Sequence, residues 1–393
     1  MATHPLVRIP VPPGPAGLDA LAKPLRAVLE GNGPAITPIP VVSATISDAY
    51  IRSLLRATAP DEPLEDERTA VVLPTSGSTG NPKGVLLSAN ALTALNPWLD
   101  EPATWVAAIP LTSAGGLNVL TRALAPHCGY IGVESLGGAR PFTPAGFAAA
   151  VATAASEGLP LRTSLVPAQV RRLLGDPQGV EALQAHSTIL VGGANLEPAL
   201  REAAAAHGIP LISTYGMTET CGGCVYDGQP LDGVTVSIDS DSRVNLGGPS
   251  IALGYRREPE LTSFHFSDAG FLTSDLGEFV DGILRIIGRT DDVVTVNGVN
   301  VSVAAVEALL RTDANVSDCA VVALNDPERG SRLIAFVSGA HADADATRLG
   351  ELVTERLGVA ARPRHFTTIE HLPMLPGGKT DRQALIALAR ETH

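Results

Sequence analysis

Short apolar runs alternate with alanine- and leucine-rich segments through the middle of the chain, from residue 69 to about residue 288. The apolar runs have the length of buried strands, and the segments between them have the spacing of helices. Such alternation is typical of an α/β fold with largely parallel strands. The predicted strands cover residues 105–109, 188–192 and 210–213, and the predicted helices cover residues 116–124, 147–155 and 198–207.

The two ends of the chain show other patterns. Residues 1–68 combine proline-rich loops with short helical patterns and end in an acidic stretch over residues 61–68. Beyond Arg289 the pattern predicts strands over residues 292–296, 316–324 and 333–338, and helices over residues 303–311, 345–357 and 381–390. We therefore predict a large N-terminal α/β domain with mainly parallel sheets over residues 1–288, followed by a small α+β domain over residues 289–393.

Composition narrows the class of protein. The chain has 393 residues, which is enough for two domains with substantial cores. It contains no apolar run of about 18 residues, so we expect no membrane insertion, and its proline-rich start does not resemble a secretory signal. Its four cysteines are too few and too scattered for a disulfide framework, which favours a reducing cytoplasm.

The formal net charge of −13 argues against nucleic acid or an anionic membrane as a partner. A chain this acidic must concentrate its few cations where anionic ligands bind. Four of them, Lys83, Arg122, Arg289 and Lys379, lie in or beside segments that have the character of a binding site. We therefore expect small anionic ligands at those segments.

Residues 73–84 (LPTSGSTGNPKG) combine hydroxyl side chains, glycines and one lysine in a single predicted loop. Glycines allow positive φ and bring backbone N–H groups close to a ligand, while hydroxyls and an ammonium donate hydrogen bonds to phosphate. The flanking apolar runs predict a strand before the loop and a strand or helix after it. The alternative is a glycine- and serine-rich surface turn. The candidate phosphate-binding residues are Thr75, Ser76, Gly77, Ser78, Thr79, Gly80 and Lys83.

A Walker A loop is excluded. No GxxxxGK[ST] register fits residues 73–84, and the later Gly378-Lys379-Thr380 has Pro373 where the first glycine of that motif should stand. The phosphate site is therefore of another kind.

Together with four further segments, the loop over residues 73–84 resembles the signature of the adenylate-forming enzymes, which include acyl-CoA synthetases, adenylation domains and luciferases. The five segments occur in the order that the family shows, and they span nearly the whole chain. The four further segments are TYGMTET (214–220), TSDLG (273–277), GRTDD (288–292) and LPGGKTDR (375–382).

The resemblance implies that ATP, with Mg²⁺, converts a carboxylate into an acyl-adenylate, and that CoA then takes the acyl group as a thioester. Mg²⁺ and fixed cations stabilise the charge that develops at the α-phosphate. By the same resemblance Glu219 holds Mg²⁺, Thr218 binds the α-phosphate, and Asp275 and Arg289 hold the ribose. The alternative for the two carboxylates is a solvated surface position, and for Tyr215 a core position. The implied adenine site consists of Gly192, Gly193, Ala194, Tyr215 and Gly216.

The resemblance also makes Lys379 a catalytic residue, together with Thr218 and Glu219. Lysine is a compact, movable charge that can bridge the acyl carboxylate and the α-phosphate. In the family the small domain rotates about a hinge in the GRTDD segment, here Asp291, so the small domain is expected to be mobile and Lys379 to serve the first step. Gly298, within VNGVNV (296–301), then approaches the CoA channel or forms an ordinary hairpin turn.

Three segments in the middle of the chain, residues 163–174, 190–194 and 214–232, are similar to one subfamily, the o-succinylbenzoate-CoA ligases of menaquinone synthesis in their actinobacterial form. In that subfamily a histidine follows a Pro-Leu turn, whereas this chain has Ser113 there. Arg122 matches an arginine that the subfamily directs at the substrate's succinyl carboxylate, a natural use of a guanidinium; a structural arginine is the alternative. The expected acid-binding residues are Ser113, Gly115, Arg122, Gly216 and Cys221.

Other functions were weighed against this one. The Cys221-Gly-Gly-Cys224 spacing could suggest zinc, but no second ligand pair exists at metal spacing, so we reject a zinc site and expect the glycines to leave room for a planar substrate. Two alternatives stay open: an adenylating enzyme for another aromatic or aliphatic acid or for a carrier-protein acceptor, and a silent nucleotide-binding homologue. The expected partners are the acid, ATP and CoA. A homodimer is one option for the assembly of the protein.

Overall fold

The computed structural model describes residues 5–43, 46–75, 82–99, 101–138, 140–313, 315–339, 346–374 and 380–392, except the side chain of Asp291. Its helices alternate with strands through most of the sequence. The helices are α1 (Ala16–Leu29), α2 (Asp48–Thr58), α3 (Ala89–Thr93), α4 (Ala114–Ala123), α5 (Pro144–Ala155), α6 (Pro167–Leu174), α7 (Pro177–Gln184), α8 (Pro198–Ala206), α9 (Pro259–His265), α10 (Val303–Leu310), α11 (Ala346–Leu357) and α12 (Arg382–Thr392).

The strands vary from two to eleven residues in length. They are β1 (Leu6–Val11), β2 (Ala35–Pro40), β3 (Thr69–Pro74), β4 (Gly84–Ser88), β5 (Thr104–Ala107), β6 (Gly129–Gly132), β7 (Leu161–Leu165), β8 (His186–Val191), β9 (Leu211–Met217), β10 (Gly222–Tyr226), β11 (Gln229–Pro230), β12 (Thr235–Ile238), β13 (Arg243–Gly247), β14 (Gly254–Tyr255), β15 (Phe266–Ser267), β16 (Gly270–Val280), β17 (Ile283–Arg289), β18 (Val293–Val296), β19 (Val299–Ser302), β20 (Asp318–Asp326), β21 (Gly330–Ser338) and β22 (His365–Thr368).

Two sheets contain the parallel strands that the sequence predicts. One has the order β11-β10-β9-β8-β7-β5-β6. In this sheet β6, β5, β7, β8 and β9 run parallel, whereas β10 is antiparallel to β9 and β11 is antiparallel to β10. The other has the order β1-β2-β3-β4-β14, with the first three strands parallel. The α/β prediction is confirmed. The helix predicted at 116–124 is α4, and the strand predicted at 188–192 is β8.

The prediction of loops and short helices for residues 1–68 was wrong in part. β1 and β2 pair in parallel over six residues each, and α1 is a helix of 14 residues. Proline misled the interpretation, because it cannot donate to a sheet ladder and is rare in strand interiors. Pro10 is tolerated since β1 is an edge strand, while β2, with Pro38 and Pro40, is buried at every position.

The chain divides into two compact units. The first comprises Met1–Ser237, Asn245–Leu272 and Asp281–Ile283, and the second comprises Ile238–Val244, Thr273–Val280 and Leu284–His393. The boundary predicted between residues 288 and 289 stays a prediction. A further sheet has the order β12-β13-β16-β15, with β17 beside β16.

The second unit contains a sheet with the order β19-β18-β21-β20, with β22 parallel to β21, and this arrangement agrees with the predicted α+β class. Alternate residues of β20 and β21 enter different cores. Val321 packs with residues of α10 and α11, whereas Phe336 packs with residues of α12. Because side chains alternate across a strand, a sheet covered on both faces becomes almost continuously apolar, which is what the sequence shows here. No helix among the described residues is long and apolar enough to cross a membrane.

Candidate active site

Two strands carry the ends of the candidate phosphate loop in the first unit. β3 and β4 are antiparallel, with Pro74 opposite Gly84. The loop ends are closed by two hydrogen bonds, from Thr75 N–H to the Lys83 carbonyl over 2.7 Å and from Lys83 N–H to Thr75 Oγ1 over 3.2 Å. The strand predicted before this segment is present, and a strand, one of the two predicted options, follows it. Ser76, Gly77, Ser78, Thr79 and Gly80 lie outside the described residues, so their contacts with phosphate stay a prediction.

Lys83 is linked to Glu219 through Tyr255, a residue that sequence reasoning missed. The Lys83 ammonium lies 5.2 Å from the centroid of the Tyr255 ring, and the Tyr255 hydroxyl donates to Glu219 Oε1 over 2.9 Å. β14 places Tyr255 opposite Val85 of β4, which brings the ring beside Lys83. A cation, a phenol and a carboxylate therefore form one connected chain.

Thr218 and Glu219 lie in a tight turn between β9 and β10. Residues 218–220 form one 3₁₀ turn, and Cys221 follows with a φ of 54°. The buried Thr220 fixes this turn, since its Oγ1 accepts from Met217 N–H over 2.9 Å and donates to the Gly222 carbonyl over 2.7 Å. The backbone that carries the two candidate catalytic side chains is thus fixed by hydrogen bonds at the end of β9, which suits them to bind a ligand.

The candidate adenine residues follow β8 and lie on β9. Tyr215 is half-buried, opposite Val225 of β10. Gly192 and Gly216 each lie too close to a neighbour for a side chain, because a Cβ at Gly192 would lie 2.5 Å from the Thr214 side-chain oxygen Oγ1 and one at Gly216 would lie 2.0 Å from the Gly222 backbone carbonyl. Gly193, at a φ of 81°, completes the turn before the exposed Ala194.

The glycines between the two cysteines differ from expectation. A Cβ at Gly222 would meet Asn118 Nδ2 at 3.3 Å, and one at Gly223 would meet the Tyr226 ring at 3.1 Å. Asn118 also donates to the Cys221 carbonyl over 3.0 Å. The space is therefore filled by Asn118 and Tyr226, so these glycines serve internal packing.

Ser113 caps helix α4. Its Oγ accepts from Gly116 N–H over 3.3 Å and donates to the Pro110 carbonyl over 2.7 Å, which satisfies a donor at the helix N-terminus. Gly115 lies in the first turn of the same helix, and a Cβ there would make only ordinary contact with Ile109. Both residues are half-buried. Their contacts with an acid stay a prediction.

Arg122, near the end of α4, is a buried cation with few partners. Arg122 is 4% exposed. Its Nη2 donates to the Tyr226 hydroxyl over 2.8 Å, and its guanidinium lies 5.7 Å from the centroid of a Trp105 ring. Among the described residues, Nε has no hydrogen-bond partner and no carboxylate forms an ion pair with this side chain. A buried, unpaired guanidinium is unfavourable unless an anion meets it.

In the second unit, the structure brings together the two residues expected to hold ribose. Arg289 Nη1 lies 2.7 Å from Asp275 Oδ1, and Asp275 is 6% exposed. Asp275 N–H donates to Thr273 Oγ1 over 3.0 Å, so the backbone of Asp275 is fixed by a buried threonine on the same strand. The two oxygens of a carboxylate can accept more than one donor, so this pair can still bind hydroxyls.

The remaining predicted residues also belong to the second unit. Asp291 lies in a 3₁₀ turn between β17 and β18. Gly298, with φ 78°, and Asn297, with φ 51°, form the two-residue turn of the hairpin that joins β18 to β19. Two consecutive positive φ angles define the type I′ turn that hairpins prefer. Lys379 lies outside the described residues, so its catalytic role stays a prediction.

Comparison with known proteins identifies the family to which the chain belongs. The family model of the AMP-binding enzymes matches residues 22–247, and the model of the AMP-binding enzyme C-terminal domain matches residues 305–379. The chain is an AMP-binding enzyme. It is 37% identical over 390 residues to a probable 2-succinylbenzoate–CoA ligase from Mycobacterium tuberculosis, covering 96% of each chain. It is also 32% identical to novobiocin biosynthesis protein H from Streptomyces niveus, covering 82% of this chain and 58% of that protein.

Solved structures share the fold of this AMP-binding enzyme. An amide bond synthetase from Marinactinospora thermotolerans superposes with a TM-score of 0.78 at 23% identity, covering 99% of this chain and 90% of that one. The o-succinylbenzoate CoA synthetase from Bacillus subtilis, solved with its acyl-adenylate intermediate, superposes with a TM-score of 0.73 at 20% identity, covering 97% and 88%. The two family models and the relative with 37% identity confirm the predicted adenylate-forming family, and these structures agree with its fold.

The cysteines of this AMP-binding enzyme are free thiols. Burial raises the pKa of both Cys221 and Cys224, that of Cys224 to about 12. A neutral thiol is a poor nucleophile and a poor metal ligand. In the part of the chain that the structure describes, no group of three or more histidine, cysteine or acidic side chains could hold a metal ion.

Arg256 supports the base of the phosphate loop, and no local motif predicted it. Its side chain is fully buried. It donates to the carbonyls of Thr58, Ala59, Glu62 and Pro63 over 2.7–3.0 Å and to the carboxylate of Glu65. Its backbone N–H donates to the Gly84 carbonyl over 2.7 Å. Residues of the acidic stretch over residues 61–68 thus surround the Arg256 side chain, while the Arg256 backbone is bonded to Gly84, next to Lys83.

Proposed function

We propose that this AMP-binding enzyme is an ATP-dependent 2-succinylbenzoate–CoA ligase. In the proposed reaction one carboxylate of the diacid attacks the α-phosphate of ATP and pyrophosphate leaves. CoA then attacks the acyl-adenylate and AMP leaves, which yields the thioester. The relative with 37% identity over nearly the whole chain bears this activity in its name.

Arg122 carries the assignment of the acid. A substrate with two carboxylates presents one to ATP and leaves the other without a reaction partner. Arg122 offers a buried guanidinium whose Nε has no partner among the described residues, and a guanidinium can bind a carboxylate through two parallel charge-assisted hydrogen bonds. A plain monoacid would leave this cation unpaired, which favours the diacid as substrate.

Lys83 and Glu219 are the proposed contacts for Mg²⁺ and the phosphates of ATP. Glu219 has one oxygen bonded to Tyr255, and among the described residues no hydrogen bond is made by its second oxygen. One carboxylate is a fitting protein contribution for Mg²⁺, which completes its shell with phosphate oxygens and water. When bound, the ion neutralises charge at the phosphates. Lys83 adds a cation at the closed base of the phosphate loop.

The other proposed functional residues lie in both units. We assign Asp275 and Arg289 to the ribose, Lys379 to the first step, Asp291 to the hinge of a mobile domain starting at residue 289, and Gly298 to the CoA channel. Ser113, Gly115, Gly216 and Cys221 are the remaining proposed contacts of the acid. The proposed location of the enzyme is the cytoplasm.

A panel of acids tests the proposal. The purified protein is incubated with ATP, Mg²⁺, CoA and, separately, 2-succinylbenzoate, the two monoacids that each keep one of its carboxylates, benzoate, and several aliphatic acids. Thioester formation is followed by chromatography. We expect the highest kcat/KM for the diacid, at least about tenfold above the better monoacid, the discrimination that one charge-assisted contact provides.

The same panel with Arg122→Lys is the matched control. Lysine keeps the charge but loses the planar, forked donor geometry, so the advantage of the diacid should shrink while the monoacids react as before. Thioester formation that does not discriminate between the diacid and the monoacids, or transfer only to a carrier protein or an amine, would contradict the proposal.

A further inference from the structure

The Tyr226 hydroxyl has one proton to donate, and no acceptor for it is found in the part of the chain that the structure describes. It accepts from Arg122 Nη2 over 2.8 Å, and among the described residues it makes no other hydrogen bond. A phenol is both donor and acceptor, so its lone pair is used and its proton is available. The residue is 6% exposed, which makes an unused donor costly.

The Tyr226 ring is held in place from two sides. Trp98 meets it in a T-shaped contact, with ring centroids 4.6 Å apart and an interplanar angle of 82°. On the other side, Gly223 allows close approach, since a Cβ there would lie 3.1 Å from Tyr226 Cε1. The hydroxyl therefore has a fixed position relative to the guanidinium of Arg122.

Trp105 and Tyr226 together position Arg122. The guanidinium lies 5.7 Å from the centroid of the Trp105 ring and bonds to the phenol through Nη2. Asn118, one turn earlier on α4, donates to the Cys221 carbonyl over 3.0 Å and so joins the helix to the start of β10. Helix and strand are thereby tied at two points, and their spacing is fixed.

We infer that Tyr226 is a second donor for the distal carboxylate of the acid and positions Arg122 to bind it. A carboxylate has two oxygens, and the cluster offers a guanidinium and a phenol proton side by side, both buried and both lacking an acidic partner among the described residues. One oxygen accepts from Arg122 and the other from Tyr226. This inference rests on the proposed function, because it concerns the same acid.

Tyr226→Phe tests the inference while keeping the ring against Trp98 and Gly223. We expect KM for the diacid to rise about tenfold, the loss of one hydrogen bond to a charged group, with kcat within about twofold. KM for whichever monoacid is turned over should not change. Tyr130→Phe, on β6, is the matched control and should leave all values unchanged.

A double-mutant cycle measures the coupling between Tyr226 and Arg122 in KM for the diacid, which a packing role of Tyr226 alone would not produce. If Tyr226 acts through Arg122 and the shared carboxylate, Arg122→Lys combined with Tyr226→Phe should cost less in diacid KM than the product of the two single effects. Independent, multiplicative losses would overturn the inference. So would an equal rise of KM for diacid and monoacid, or no rise at all in a Tyr226→Phe protein with the wild-type melting temperature.

The proposed function and the role of Tyr226 are contradicted by different results. A wild-type protein that does not prefer the diacid contradicts the proposed function, whatever Tyr226→Phe does. A wild-type protein that prefers the diacid and loses this preference in Arg122→Lys, but keeps it in Tyr226→Phe, leaves the function standing and overturns only the role of Tyr226.

Discussion

The Tyr255 hydroxyl donates to the Glu219 carboxylate over 2.9 Å, while the Lys83 ammonium lies 5.2 Å from the centroid of the same ring. One side chain therefore orients the carboxylate proposed for Mg²⁺ and the cation proposed for phosphate. Loss of a group that holds a metal ligand in place typically lowers metal affinity by about 10- to 100-fold.

Tyr255→Phe should weaken ATP binding only when Mg²⁺ is present. The ring keeps its contact with Lys83, but Glu219 loses the donor that orients it, a loss of about 1.5 kcal/mol for a charge-assisted hydrogen bond and thus about tenfold in Kd. Calorimetric titration with ATP, with and without Mg²⁺, measures this. Tyr130→Phe serves as the control. An equal loss in both titrations would show that Tyr255 has only a packing role.

Lys379→Ala should separate the two half-reactions. If the resemblance assigns Lys379 correctly, acid-dependent exchange of pyrophosphate into ATP should fall by about two orders of magnitude, the effect of losing about 3 kcal/mol of charge stabilisation. Conversion of supplied acyl-adenylate to thioester should stay close to the wild-type rate. Lys23→Ala, at an exposed position on α1, is the control. Equal losses in both halves would refute the assignment.

His186 should make the protein less stable as pH falls. Burial lowers the pKa of its imidazole to about 4, and the ring stacks on Phe147 with Nδ1 donating to the Ala182 carbonyl over 2.8 Å. The unfolded chain takes up a proton near pH 6.5, whereas the folded protein does so only near pH 4. The stability that neutral His186 contributes is therefore present above pH 6.5 and is lost between these values, up to about 3 kcal/mol.

Urea unfolding from pH 7.5 down to about pH 5, where few carboxylates have begun to titrate, measures this effect. In His186→Gln the fall in unfolding free energy over that range should be smaller than in the wild type. His207→Gln, at an exposed position, should behave as the wild type. Parallel curves for wild type and His186→Gln would contradict the prediction.

Arg256→Met should destabilise the first unit strongly, by about 3–5 kcal/mol, since it leaves buried carbonyls without donors. The neighbouring Arg257 provides a matched control, because its side chain is 54% exposed and its ion pair with Glu62 lies at the surface. Arg257→Met should cost no more than about 1 kcal/mol. Thermal unfolding of both variants tests the difference, and similar shifts in Tm would contradict the buried role of Arg256.

The elements that the sequence predicted well are those whose pattern is local. α4 and β8 were found because buried strands form apolar runs and helices repeat every three to four residues. β1 and β2 were missed since Pro10, Pro38 and Pro40 weaken a strand pattern. Pro10 lies on an edge strand, where proline is tolerated, whereas Pro38 and Pro40 lie on the interior strand β2.

Much of the candidate site depends on contacts that no local pattern contains. Arg122 meets Tyr226 across 104 residues of sequence, and Arg256 meets the carbonyl of Thr58 across 198. The sequence identified Arg122 and Glu219 through a family resemblance, but it gave no indication that Tyr226 and Tyr255 hold them. Such partners are determined by packing, and only coordinates reveal them.

Transfer of heavy oxygen from the acid to AMP tests the central claim most directly. 2-Succinylbenzoate labelled with heavy oxygen in both carboxylates reacts to completion with ATP, Mg²⁺ and CoA. The masses of AMP, pyrophosphate and the thioester are then measured by mass spectrometry. The carboxylate oxygen that attacks the α-phosphate stays with AMP when CoA displaces it. The account predicts AMP with one heavy oxygen, unlabelled pyrophosphate and one equivalent of thioester. ADP with labelled phosphate, or unlabelled AMP beside the thioester, would contradict an acyl-adenylate route.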